Sequence, residues 1–239
     1  MKAQSAHKKR PCLWESAAPS DRPDRKNAWL SLRNINAYPV SFKTTVRSFH
    51  MTDRFNALSL SHRFLAEHVR PGDLCIDATA GRGYDTAYLA GLTGETGRVL
   101  AFDIQQEAVD STNALLRKRG LDRIAQVHLD SHVNMERYAQ PGTVRCITFN
   151  FGWLPAGDHS IFTHAETSIP AIEAGLRLLT PDGVMSLCIY YGRDSGFEER
   201  DALLGYLPTL DSKSCTVLLH DFINRPNNPP LFAAILKGI

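Results

Sequence analysis

One stretch constrains this chain more than any other: Leu74-Cys75-Ile76-Asp77-Ala78-Thr79-Ala80-Gly81-Arg82-Gly83-Tyr84-Asp85-Thr86. An apolar run meets an acid, then two glycines within three residues, then Asp85-Thr86, residue types that open helices. The order reads as a buried strand, a glycine turn and a helix start. Gly81 and Gly83 permit left-handed backbone angles and close approach of a ligand, and the helix start offers unpaired N–H groups. Such a turn holds a nucleotide-like ligand against a sheet.

Two ligand classes use this geometry. A dinucleotide fingerprint requires G-x-G-x-x-G/A, with the pyrophosphate on the helix N-terminus. Here the third position is Thr86. Asp77 at the strand end would repel a pyrophosphate but attract the ammonium of a methionine moiety. The pattern therefore points to S-adenosylmethionine. The alternative is that the acids only cap a helix and the glycines only make a turn.

The units that follow extend the pattern. Arg98 to Asp103 reads as a second strand, with Asp103 lying 22 residues after Gly81. A carboxylate there can accept from both ribose hydroxyls of an adenosine, or it can N-cap the helix carrying Val109, Thr112 and Leu116. Ile104-Gln105 border the adenine in this reading. A third strand, Ile124 to Leu129, ends at Asp130-Ser131-His132, which places Ser131 and His132 over the same crevice. Before these units, a helical pattern runs from Arg54 through Phe55, Leu58, Phe64 and Leu65 to the turn at Pro71-Gly72.

The second informative motif closes a fourth strand, Val144 to Phe149: Asn150-Phe151-Gly152-Trp153-Leu154-Pro155. An Asn at this position followed by an aromatic is similar to the Asn-Pro-Pro-aromatic motif of amino-group methyltransferases. An amine nucleophile needs acceptors such as the Asn oxygen to aim its lone pair, and Trp153 or Phe151 can stack on a planar base. Asp158, His132 and His164 are candidate proton acceptors, alongside bulk water. Thr163 and Glu166 have capping-box spacing at the start of a helix, with Ile169, Ile172, Leu176 and Leu179 turned to the sheet. Pro181-Asp182-Gly183 turns into a fifth strand, Val184 to Tyr190, and two more strands, Cys215 to Leu219 and Leu231 to Leu236, complete the chain.

These units predict an α/β, Rossmann-like sheet of seven strands, mostly parallel, with a final antiparallel strand. Ligands in such sheets bind outside the carboxyl ends of the strands. Residues 51–239 form this domain. Residues 1–50 carry 10 Lys+Arg against 3 Asp+Glu and read as a basic, disordered extension: an RNA-gripping arm, a transit peptide, or sequence upstream of a functional start at Met51. The remainder carries 17 basic against 22 acidic residues, so any RNA contact must come from a local patch or this arm. The five cysteines have no C-x-x-C spacing, the pattern of reduced thiols in a cytoplasmic protein, and imply no metal site. No apolar run reaches the ~20 residues of a membrane span.

Taken in order, Ser61-His62, the Asp77 to Thr86 turn, Phe102 to Gln105, Ser131-His132, Phe149 to Pro155, Gly157-Asp158 and the segment Asn224 to Pro230 resemble one family. This is the MnmM/YtqB-like group of class I S-adenosylmethionine-dependent methyltransferases, long labelled rRNA methylases. The resemblance spans about residues 55–237. It implies methylation of the aminomethyl nitrogen of 5-aminomethyl-2-thiouridine at the tRNA wobble position, cofactor contacts at Gly83, Asp85, Asp103, Gln105, Ser131 and His132, and a homodimer. With Asp77, Gly81 and Thr86 these make the candidate cofactor set, and Asn150, Trp153 and Asp158 the candidate catalytic set. The chain departs from the family at Arg82, where Asn is usual, and at Arg193, where His is usual; Arg193 is placed to meet an RNA phosphate. The rival readings are a methyltransferase for another amine, in rRNA, protein or a metabolite, and a non-catalytic nucleotide-binding module.

Overall fold

A computed structural model describes residues 55–153 and 162–238, apart from the side chains of residues 193–195. The proposed extension at 1–50 and Asp158 lie outside the described residues. Twelve elements carry the architecture: α1 (Ala57–His68), β1 (Leu74–Asp77), α2 (Tyr84–Thr93), β2 (Arg98–Asp103), α3 (Gln106–Arg119), β3 (Ala125–Leu129), β4 (Val144–Phe151), α4 (Ala165–Leu178), β5 (Leu179–Ile189), α5 (Arg193–Tyr206), β6 (Cys215–His220) and β7 (Leu231–Lys237).

The strands order as β3-β2-β1-β4-β5-β7-β6. The first five run parallel, while β7 is antiparallel to both β5 and β6. The sequence dictates this layering, because the central strands are apolar on successive residues and need cover on both faces. On β1, Cys75 points into a core shared with α1, α2 and α3, and Ile76 into the opposite core under α4 and α5. Cys146 and Ile147 on β4, and Val184 and Met185 on β5, alternate in the same way.

Two local expectations are corrected. Pro181-Asp182-Gly183 does not separate helix from strand; it bulges from β5, which pairs from Leu179 onward, with a register shift opposite Val144–Cys146 and Asp182 at φ +64°. Thr163 does not cap α4, whose N-cap is His164 without a side-chain bond. The α1 helix starts at Asn56, which exchanges side-chain and backbone bonds with Ser59 in a capping box. Among the described residues no helix is long and apolar enough to cross a membrane.

Topology fixes where a ligand can sit. The order reverses between β1 and β4, opening a crevice at their carboxyl ends. Since β7 is antiparallel, the β6–β7 connection rises from this same edge: Leu231 pairs with Ile189, the last residue of β5.

Candidate active site

The glycine turn is built from behind. Asp77 is fully buried; its Oδ1 accepts from the Thr79 N–H at 3.2 Å and its Oδ2 from the Thr86 hydroxyl at 2.6 Å. Burial, reinforced by neighbouring Asp85, pushes its pKa up to about 7. Thr86 is itself fully buried in α2. Gly83, at φ +80°, is the N-cap of α2, and a Cβ there would lie 2.9 Å from the Thr112 backbone. Asp77, Gly83 and Thr86, expected at the cofactor, thus lie outside the cavity lining and shape the turn instead. The Thr86 hydroxyl donates to the Asp77 carboxylate from α2, and Asp77 has no exposed surface.

In front of the turn lies a cavity of about 450 Å³, within the range of small-molecule sites. Gly81, Asp85, Asp103, Gln105, Ser131 and His132 all line it. Asp103 accepts from Gly81 N–H through Oδ2 and from Gln105 N–H through Oδ1, each at 2.9 Å. It does not cap α3, whose N-cap is Gln105. Partial burial holds its carboxyl above the usual carboxylate range, with the backbone donors pulling it back. Beside it, Ile104 is 59% exposed at the mouth. Ser131 and His132 are positioned by Asp130, whose carboxylate takes the Ser131 N–H, the Asn134 amide and the Tyr138 hydroxyl.

His132 is buried, and this pushes its pKa down to about 4, so the ring is neutral at pH 7 and a poor proton acceptor. Its Nε2 has no hydrogen-bond partner among the described residues. An orphaned polar atom in a buried wall favours a ligand with a polar edge. A carboxylate with two divergent oxygens, an apolar mouth residue and this ring nitrogen together fit an adenosine: ribose diol at Asp103, base between Ile104 and His132.

The opposite wall carries Asn150, the seventh residue of β4. Its Nδ2 donates to Asp85 Oδ2 at 2.7 Å, and its backbone N–H donates to the Thr79 hydroxyl at 2.7 Å. Asp85 Oδ1 meets His62 Nε2, also at 2.7 Å. The His62 ring stacks on Tyr88 at 4.0 Å, while the Tyr88 hydroxyl donates to the His62 carbonyl. One residue earlier, Ser61 shares a buried 2.6 Å bond with Ser186 on β5, fixing α1 on the sheet so that His62 reaches Asp85. The Ser61-His62 pair thus acts at the site through Asp85. Because a carboxylate can only accept, it fixes the Asn150 amide with NH₂ toward Asp85, leaving the Oδ1 lone pairs for another donor.

Beyond Asn150, the strand alternation sends Phe151 into the core, stacked on Phe149 at 5.0 Å. Fully buried, Phe151 nevertheless forms part of the cavity wall. Trp153 is half-buried, lines the cavity and bridges to Phe162, while Gly152 and Thr163 exchange two bonds of 2.7 and 3.0 Å. The Thr163 hydroxyl then donates to Glu199, as does Ser168, at 2.7 and 2.6 Å. Glu199 is 3% exposed and its pKa is raised by burial. No sequence spacing links Thr163 to Glu199, so this anchor was missed, as were the cavity residues Tyr190 and Leu58. Arg82 lines the cavity and pairs with Glu107 at 2.7 Å. Arg193 opens α5, its side chain lying outside the described part. No group of three His, Cys, Asp or Glu among the described residues could hold a metal.

Known proteins resemble this chain in sequence and fold. A family model described as "Putative rRNA methylase" matches residues 99–236. A tRNA (mnm(5)s(2)U34)-methyltransferase, chloroplastic, of Arabidopsis thaliana is 32% identical over 206 residues, covering 81% of this chain and 74% of that protein. A Clostridium thermocellum crystal structure of the same description as the family model is 43% identical, with a TM-score of 0.75, and covers 77% of this chain and 98% of its own. A Streptococcus mutans methyltransferase structure in complex with SAH is 33% identical at a TM-score of 0.70, with the same coverage. With its sheet order, its glycine turn and its acid at the end of β2, the chain belongs to this rRNA methylase family of class I S-adenosylmethionine-dependent methyltransferases.

Proposed function

We propose that this enzyme methylates the aminomethyl nitrogen of 5-aminomethyl-2-thiouridine at the tRNA wobble position. The observation that carries the reading is the orientation of Asn150. With its NH₂ held by Asp85, its oxygen is a fixed acceptor for a substrate N–H, the requirement of an amine nucleophile and not of a carboxylate one. The activity in the name of the Arabidopsis relative agrees with this chemistry.

S-adenosylmethionine supplies an electrophilic sulfonium methyl. In this reading Asp103 holds the ribose, Ile104, Gln105 and Ser131-His132 border the base, and Gly81 and Asp85 complete the wall. Asn150 aims the amine lone pair, and Trp153 stacks on the uridine. Alignment of this kind can supply as much as ~7–11 kcal/mol of a displacement barrier. Asp85, bonded to His62 and Asn150, orients the amide, and the proton displaced from the amine passes to bulk water.

Nucleoside mass spectrometry of tRNA carrying the unmethylated aminomethyl nucleoside, with and without enzyme and cofactor, tests the proposal. One added methyl on that nucleoside, lost in Asn150→Ala with cofactor binding retained, is expected. No gain with cofactor binding intact would move the reaction to another amine.

A further inference from the structure

The connection between β6 and β7, residues 221–230, is ten residues long, where adjacent antiparallel strands need only two to five. Consecutive Asn227 and Asn228 both adopt left-handed backbone, at φ +64° and +49°. Asparagine enters this region more readily than most residues other than glycine, and two in succession make a tight turn. The pin is Arg225. Its N–H donates to the Phe222 carbonyl at 2.9 Å, its Nη1 donates to the Phe55 carbonyl, and its guanidinium lies 4.2 Å from the Phe222 ring centre. Phe55 stands one helical turn before Leu58 of the cavity wall, is 45% exposed, and has the Arg63 guanidinium 4.8 Å from its ring centre. At the tip Ile223 is 91% exposed.

We infer that this rim, Phe55, Arg63, Phe222, Ile223 and Arg225, is the docking surface for the unpaired RNA loop that carries the substrate nucleoside, an inference that rests on the tRNA reading above. Three observations converge on it. The rim rises from the cavity's own edge, because β7 begins beside the end of β5. Arg63 is exposed and Arg225 half-buried, and each guanidinium lies over an aromatic ring, a planar cationic surface of the kind on which unpaired bases stack. The sequence from residue 51 onward carries a net charge of −5, so a polyanion needs local positive groups of this kind. The guanidinium groups of Arg63 and Arg225, each seated on an aromatic ring, supply the local positive charge that an RNA loop needs.

The test uses the full chain, a synthetic anticodon stem-loop and fluorescence anisotropy between 50 and 200 mM salt. Arg225→Ala is expected to weaken binding about tenfold and to lower the slope of log K against log salt by about 0.7. Ile223→Glu, at a residue too exposed to matter for folding, is expected to weaken binding similarly, with SAH affinity unchanged in both variants. Native affinity and slope in both variants would overturn the rim, as would failure of the native protein to bind the stem-loop. Rim-dependent binding without methylation of tRNA would support the rim and overturn only the substrate reading. Methylation with a KM for tRNA indifferent to both changes would overturn the rim alone.

Discussion

Asp77→Asn separates a buried charge from everything else at this site. Asp77 is fully buried and, among the described residues, accepts two hydrogen bonds, from Thr79 N–H and the Thr86 hydroxyl. Its pKa moves from 3.8 to about 7, so the folded state binds this proton where the unfolded state does not. The resulting stability is complete below about pH 4 and is lost as pH rises through 7. At 1.36 kcal/mol per pH unit the shift amounts to about 4 kcal/mol. His132 acts in the opposite direction: its pKa falls from 6.5 to about 4, so its contribution grows as pH rises across that window. The two offset each other below pH 6.5, which is why the native profile alone decides nothing. The difference between Asp77→Asn and native removes His132. Asn occupies the same volume and can still accept from Thr79 and donate to the rotatable Thr86 oxygen. Urea unfolding from pH 4 to 8 should therefore show the variant gaining on native by several kcal/mol as pH rises, most of it between pH 5 and 8. A difference that stays flat would mean that Asp77 ionises like an exposed acid and that the turn is not built around a buried carboxyl.

Three other substitutions probe the remaining architecture. Gly83→Ala forces a side chain into left-handed backbone and against the Thr112 backbone at 2.9 Å, so a loss of at least ~2 kcal/mol is expected in the urea midpoint; an unchanged midpoint refutes the packing role. Asp85→Ala removes the acceptor that fixes the Asn150 amide, and should cut the methyl-transfer rate at least ~10-fold while SAH affinity, by calorimetry, changes less; equal losses in both would make Asp85 a cofactor ligand first. Glu199→Ala strands the Thr163 and Ser168 hydroxyls, with relief of carboxylate desolvation offsetting part of the loss. A net cost of ~1–3 kcal/mol and a raised KM for RNA at unchanged SAH affinity are expected, and an unaltered KM would confine Glu199 to stability.

What was legible in the sequence follows from what local residues decide. Val99 to Phe102 and Cys146 to Phe149 are buried on both faces, so an apolar run, interrupted in the second case by Thr148, was sufficient signal for a strand, and the acid or amide ending each run marked the cavity edge. Asp103 and Asn150 could be found because strand ends in a parallel sheet converge whatever the packing of the helices. Asp77 lies at an equivalent strand end, yet its position in the chain does not reveal that Thr86 folds back over it; the covering hydroxyl belongs to a helix whose angle depends on Gly83 meeting Thr112. Thr163 shows the same limit from the other side. Its spacing to Glu166 matched a capping box, but a carboxylate 36 residues away on α5 takes the hydroxyl instead, because that acid is buried and has greater need of a donor than α4 has of a cap. Local pattern therefore locates residues that the sheet alone positions. Where a side chain can choose between its own helix and a buried partner, the partner's desolvation decides, and that quantity exists only once the helices have packed.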